Sequence, residues 1–245
     1  MFGIMVLLDL GRRIGTSRLA REGESAAKGF GAIEGAIFGL LGLILAFSFS
    51  GALARFDARR HLVVEETNRI GTAWLRLDLL PPENRAPLQA LLRTYLDSRI
   101  TLYQNIPNRD ATTAELARSD ALQSEIWEAA IAASRDPAST PAPMLLLPAL
   151  NAMFDIRTTR TEAARIHPPG VIFAMLGTLT LACALFAGYD MAGRRRLSPL
   201  HSAGFALVLA VTVYVIVDLE FPRLGLIQVT DSDHALVDLR KSINP

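Results

Sequence analysis

The sequence predicts an all-α integral membrane protein with three transmembrane helices, four if residues 1–10 belong to another, and a helical domain inserted after the first. Three observations carry this. Gly35–Ala54 (GAIFGLLGLILAFSFSGALA) is twenty residues without a formal charge, and Gly170–Tyr189 and Pro199–Val217 repeat the pattern, the last impure only at His201. About twenty predominantly apolar residues take a helix across ~30 Å of hydrocarbon. The charge is gathered elsewhere, mostly in residues 55–168, so the 51% hydrophobic content lies in blocks. No strand-like alternation persists, whereas apolar residues recur at three- and four-residue steps.

The amino terminus, MFGIMVLLDL, is apolar but too short to span, and it carries Asp9. Without a basic leader or a small-residue cleavage site it does not read as a signal peptide. It is expected either as an interfacial turn of helix or as the remnant of a fourth span. Residues 11–31 read as a basic connector, with Arg12, Arg13, Arg18, Arg21 and Lys28 against Glu22 and Glu24. The first span, residues 32–54, meets no proline before Pro81, so a continuous helix from Gly35 to Leu80 of ~70 Å is expected. Its outer half sets Val63, Thr67, Ile70, Trp74 and Leu77 in a core-facing stripe. Glu65 and Glu66 oppose Arg69 at helical spacing.

Residues 55–168 make up a helical soluble or juxtamembrane domain. After Pro81-Pro82, a helix from Glu83 to Ile106 places Leu88, Leu91, Leu92, Tyr95, Leu102 and Ile106 on one side, and Pro107-Asn108 stops it. The next runs from about Thr112 to Ser134, with Leu116, Leu122, Ile126, Trp127 and Ile131. Asp136–Pro143 is a proline-rich linker. A further helix, Met144 to about Ile166, carries Asn151 and Asp155 beside Arg160 as a solvated or inter-helix polar face and ends at His167-Pro168-Pro169. Residues 169–219 form a span pair joined through Asp190–Ser198, whose Arg194-Arg195-Arg196 is basic. Asp218 and Glu220 read as interfacial caps. Residues 220–245 are expected as a mostly extended polar tail.

The strongest local pattern lies in the first span. Gly31, Gly35, Gly39, Gly42, Ala46 and Ser50 follow at steps of four or three and share one arc of about 100°. Small residues let helix backbones approach closely in lipid. The face is expected either to meet copies of itself in an oligomer or to pack on the chain's own second and third spans. Phe38, Leu41, Leu45 and Phe49 line the neighbouring arc. Around a symmetry axis such a stripe would form apolar rings of the kind that gate by dewetting, and the plainer reading is lipid contact or packing. Arg55, Arg59 and Arg60 stand at the membrane exit, where they either anchor the helix in the interface or form an electropositive pore mouth.

Signals for other classes are thin. Net charge is +1, which gives no basic surface for nucleic acid. The four histidines lie far apart, Cys183 is the lone cysteine, and no phosphate loop, G-x-S-x-G or C-x-x-C occurs. No enzyme activity and no cofactor are expected. For metal, Asp231 and Asp233 resemble a fragment of a cation loop without its turn glycine and distal glutamate. Arginine far outweighs lysine, Lys28 and Lys241 being the only two, which fits a GC-rich bacterial genome. The cytoplasmic (inner) membrane of a bacterium is the expected location.

The order of features resembles a known family. LLGLILAFSFSGALARFDARRHLVVEETNRIGTAWLRLDLLPP, then LPALNAMFDIRTTR, a span pair and VDLEFPRLGLIQV look like the bacterial bestrophin-like membrane proteins, over roughly residues 30–240. Phe49, Phe56-Asp57 and Arg59-Arg60 also stand in an order similar to the pore helix of bestrophins. The stretch Glu220-Phe221-Pro222-Arg223-Leu224-Gly225 inverts the phenylalanine and proline of their motif, and its acidic run is thin, which speaks against calcium regulation. The resemblance implies an oligomeric channel, pentameric in bestrophins, with membrane lipid, copies of itself and inorganic ions as partners. A non-conducting scaffold or sensor whose helical domain binds a partner is the alternative. Eight Lys/Arg in the connector and the Arg194–Arg196 loop favour an extracytoplasmic helical domain. The resemblance instead implies a cytosolic one.

Overall fold

The computed structural model describes residues 1–22, 31–104, 108–136, 142–193, 199–222, 225–227 and 230–243. Among the described residues it is all-helical, with no strand. The α-helices are α1 (Phe2–Glu22), α2 (Gly31–Arg76), α3 (Pro82–Gln104), α4 (Arg109–Ala133), α5 (Ala142–Arg165), α6 (Gly170–Asp190), α7 (Pro199–Glu220) and α8 (Thr230–Ser242). Three are long and apolar enough to cross a membrane: α2, α6 and α7. The chain divides into two compact units, Met1–Ala54 with His167–Glu220, and Arg55–Ile166 with Phe221–Pro245.

In the first unit α6 is the centre, with Leu176, Thr180, Cys183, Ala184 and Gly188 buried. The amino terminus corrects the sequence reading. Residues 2–22 are one helix of 21 residues, so the expected stub and the first half of the connector are a single element. It packs along α6 and also touches α7. Gly3 faces Leu181, Gly11 faces Leu185 and Tyr189, and Gly15 faces Tyr189 and Ala192, so the two helices run parallel. Their backbones touch. A Cβ at Gly11 would lie 2.0 Å from the Leu185 carbonyl oxygen, and one at Gly188 would lie 2.0 Å from that of Leu8. Dispersion over such a contact is what holds helices together where water supplies no drive. The charged half of α1 adds an Asp9–Arg13 pair at 2.7 Å and a hydrogen bond from Arg18 to the Tyr189 hydroxyl at 3.2 Å.

In the second unit the outer half of α2 joins α3, α4, α5 and α8 around an aliphatic core of Ile70, Leu77, Leu88, Leu92, Leu96, Ile126, Leu146, Leu150 and Met153. Each fully buried side chain of this size contributes about 1.5–3 kcal/mol. The α2 stripe falls as its period requires, with Val63, Ile70 and Leu77 buried and Thr67 and Trp74 half-buried. Arg69 bonds Glu65 at 3.1 Å, whereas Glu66 turns inward. Asn108 caps α4 by accepting from the Ala111 amide at 3.2 Å.

The tail is a second correction. Thr230–Ser242 is a helix rather than an extended segment, and it packs on α3. Leu236 and Ile243 enter the core, and Arg240 clamps Asp97 through two bonds of 2.7 and 3.2 Å. Arg93 reaches the Ile243 carbonyl at 3.2 Å while lying over the Trp74 ring.

Candidate functional site

The candidate site is α2, whose faces differ. Leu41 and Ala52 are buried, and Phe38 meets Phe205 of α7 edge-on with ring centroids 6.4 Å apart. The small-residue arc looks the other way. A Cβ at Gly31, Gly35, Gly39 or Gly42 would meet nothing within 4 Å, and Ala46 and Ser50 are exposed. Among the described residues, then, none of the chain's own spans covers this arc. A third side carries the large exposed side chains Leu40, Leu43 and Phe47.

The expected constriction is split by this arrangement. Leu41, 2% exposed, lies inside the chain, and Phe38 rests on its own α7. Leu45 is half-buried, and Phe49 is turned outward at 41% exposure. Both stripes are apolar, so a helical wheel alone does not say which of them the neighbouring helices cover.

The arginines at the membrane exit have separate surroundings. Arg59 donates to the Ala163 and Ile166 carbonyls at 3.3 and 2.9 Å, binding the open carboxyl end of α5, where a cation is favoured. Arg60 pairs with Asp57 at 3.7 Å and lies over the Phe56 ring, and Arg55 is half-buried. Glu220, fully buried at the end of α7, faces His167 at 3.0 Å, and Asp218 is buried as well. Both carboxylates are thus interior groups at the end of α7. Asp231 and Asp233 stand on helical backbone, not in a cation loop, and their side chains lie outside the described residues, as does the Arg194–Arg196 loop.

The helical domain holds a constellation that sequence reasoning missed. Glu66 of α2 accepts from Arg99 of α3 at 2.6 Å and from Arg160 of α5 at 2.5 Å. Tyr103 donates to the same carboxylate at 3.0 Å, Arg99 bonds the Tyr103 hydroxyl, and the Arg160 guanidinium stacks 3.5 Å from the Tyr103 ring centre. Glu66 and Arg99 are fully buried. Three helices thus meet at one carboxylate. The signal was present in the register. Glu66 falls in line with Val63 and Ile70, Arg99 with Tyr95 and Leu102, and Arg160 with Met153 and Ile156, so each charge occupies a core position. Asn151 and Asp155 are exposed, in keeping with the solvated alternative for that polar face.

Burial alone would push Glu66 up, but the Arg99 and Arg160 charges outweigh it and hold the carboxyl below its ordinary value of 4.5. A carboxyl depressed on folding stabilises the fold above its unfolded value and loses that contribution as pH falls through the folded one. The melting temperature of the wild type is therefore expected to drop with acid below about pH 4.5. Glu66→Gln should start lower and flatten that part of the profile. Identical slopes would assign the acid sensitivity to other groups.

The family model of the bestrophin-like domain matches residues 4–233. The chain belongs to the bestrophin-like family. Neither a curated protein nor a solved structure matches it. The match opens inside α1 and closes at residue 233, in the first turn of α8, so the helix that the sequence left as a stub lies almost wholly within the family domain. With three membrane-capable helices, this bestrophin-like chain is a multi-pass membrane protein.

Proposed function

We propose that this bestrophin-like protein is a homo-oligomeric ion channel, selective for anions, in which copies of α2 meet through their small-residue faces around the conducting axis. The observation that carries it is the uncovered seam Gly31, Gly35, Gly39, Gly42, Ala46 and Ser50. Lipid alone does not account for that face, because the same side of α2 continues beyond the apolar run. Gly42, Leu53, Val64 and Leu75 recur every eleven residues, and an eleven-residue repeat keeps to one side of a helix. Leu53, Val64 and Leu75 are 40, 48 and 68% exposed. Val64 and Leu75 follow the charged stretch Arg55–Arg60 in the chain, and a second α2 is the proposed cover for this side of the helix.

Within this reading Phe49 and the exposed edge of Leu45 are the constriction, and Leu41 and Phe38 serve packing. Arg60 and Arg55 supply positive potential at one mouth, since clefts lined by one sign of charge concentrate the opposite ion. Arg59 acts on α5.

Mass measurement of the protein in lipid nanodiscs is expected to give a single oligomer, and Gly39→Leu with Gly42→Leu should reduce it to monomer while leaving the helical content unchanged. Planar bilayers should show discrete conductance whose reversal potential follows chloride, enlarged by Phe49→Ala. A monomeric wild type would sink the proposal. A well-folded oligomer that never conducts would turn the reading to a membrane scaffold.

A further inference from the structure

The apolar and charged residues of α1 are divided along its length rather than around it. Phe2–Leu10 carries a single charged side chain, Asp9, whereas Gly11–Glu22 carries Arg12, Arg13, Arg18, Arg21 and Glu22. The first half is apolar on its outer side as well as where it packs. Ile4 and Leu8 are buried against α6 and α7, while Phe2, Met5, Val6 and Leu10 point away and are exposed. A helix that lies flat on a membrane separates its polarity by face, one side charged and the other apolar. One that enters end-on separates it by depth, and α1 is built in that second way.

The contact with α6 sets that depth. Gly3 faces Leu181, at the middle of this span, and Gly15 faces Tyr189 and Ala192, at and just past its end. At ~1.5 Å of rise per residue, Leu181 lies about 13 Å inside the end of α6 at Asp190. The exposed apolar side chains of α1 therefore lie at the depth of acyl chains. Arg12 and Arg13 stand between Gly11 and Gly15, level with Tyr189, and tyrosine collects where lipid headgroups begin. Arg18 reaches the same level by donating to the Tyr189 hydroxyl at 3.2 Å. Arg12 is exposed, and among the described residues no side chain pairs with it. Arg13 pairs with Asp9 at 2.7 Å, but the two are 78 and 54% exposed, so this is a surface pair of small worth. The edge is positive as a whole. Residues 9–31 hold five basic side chains against three acidic ones, and residues 190–198, which follow α6, hold three against one.

We propose that α1 is a half-depth membrane anchor that binds an anionic phospholipid, with Arg12 and Arg13 as the donors to its headgroup phosphate. A guanidinium suits this task because its planar fork meets two phosphate oxygens at once. The acyl chains of the same lipid run along Phe2, Val6 and Leu10, so one molecule satisfies both halves of the helix. Anionic lipid is preferred over zwitterionic lipid because the surrounding edge carries a positive excess that a second negative charge offsets. The site belongs to α1 and α6, and it stands whether or not α2 lines a pore.

The test uses the full-length protein with Cys183→Ala and Leu10→Cys, which leave one thiol for a fluorophore beside the two arginines. It is reconstituted in phosphatidylcholine bilayers with a small fraction of lipid carrying a quenching nitroxide on its acyl chain. That quencher is either phosphatidylglycerol or phosphatidylcholine. Phosphatidylglycerol should occupy the position on the order of tenfold more tightly, as two basic side chains near an anionic headgroup imply. Arg12→Gln with Arg13→Gln should make the two lipids equal, and Arg12→Lys with Arg13→Lys should keep most of the preference. Equal quenching by both lipids in the starting protein would overturn the site, and so would a preference that survives both glutamines. No quenching by either lipid would take α1 out of the bilayer and overturn its placement as well. Should the Leu10→Cys protein fold poorly, the label at Val6, one turn deeper, gives the same comparison. Bilayers without conductance would count against the channel and leave this result standing.

Discussion

Glu66→Ala is expected to lower the stability of the helical domain by about 3–5 kcal/mol, the range for removing one partner of a buried ion pair. The cost comes from what remains. Arg99 and Arg160 would face each other in the interior, with Tyr103 left without its carboxylate acceptor. Arg160→Met should cost less, because Glu66 keeps its bond from Arg99 and the new side chain fills similar volume. The ranking distinguishes an electrostatic knot from simple packing. Chemical denaturation of the three proteins, read on the helical signal and by hydrogen exchange of α3 and α5, measures it. Equal losses in both variants would show that the cluster acts by filling space.

Gly188→Leu should break the contact between α1 and α6. Overpacking a core usually costs about 1–3 kcal/mol because neighbouring side chains shift. Here the obstacle is the Leu8 carbonyl, 2.0 Å from where a Cβ would stand, and a main chain yields only if the whole helix moves away. The expected outcome is loss of amide protection throughout residues 2–15 and ready proteolysis at Arg12 or Arg13, with the helical domain unaffected. Gly11→Leu should reproduce it from the other side, since its Cβ would meet the Leu185 carbonyl. Gly35→Ala serves as the control, because nothing lies within 4 Å of its Cβ. Unchanged protection of α1 in Gly188→Leu would show that the two helices do not touch in solution.

Much of the architecture was legible because a few residue types announce it. A chargeless run such as Gly35–Ala54 has few uses outside a bilayer, and the absence of proline up to Pro81 carries the same helix on to Arg76. The α1 helix was hidden because Gly11 and Gly15 flank two arginines, and glycine among charges also reads as a loop. The α8 helix was hidden by its polar opening, although Leu236, Leu239 and Ile243 keep helical spacing. The orientation of α2 was beyond reach, because the Phe38–Phe49 stripe and the glycine arc are both apolar and only the neighbouring helices say which is covered. The buried cluster escaped for another reason. Glu66, Arg99 and Arg160 lie far apart in the chain, and an ionised side chain in a core position reads as a flaw in the stripe until its partners are seen.

That cluster has a lopsided chemistry. A guanidinium keeps its proton at any alkalinity a protein survives, and the two phenols beside it are held above their usual range. Lysine, the side chain that ordinarily discharges in strong base, occurs only at Lys28 and Lys241. Base therefore finds nothing to undo at the knot where α2, α3 and α5 are tied, while acid finds one carboxyl whose neutralisation loosens all three. Acid is therefore the side from which this knot is opened.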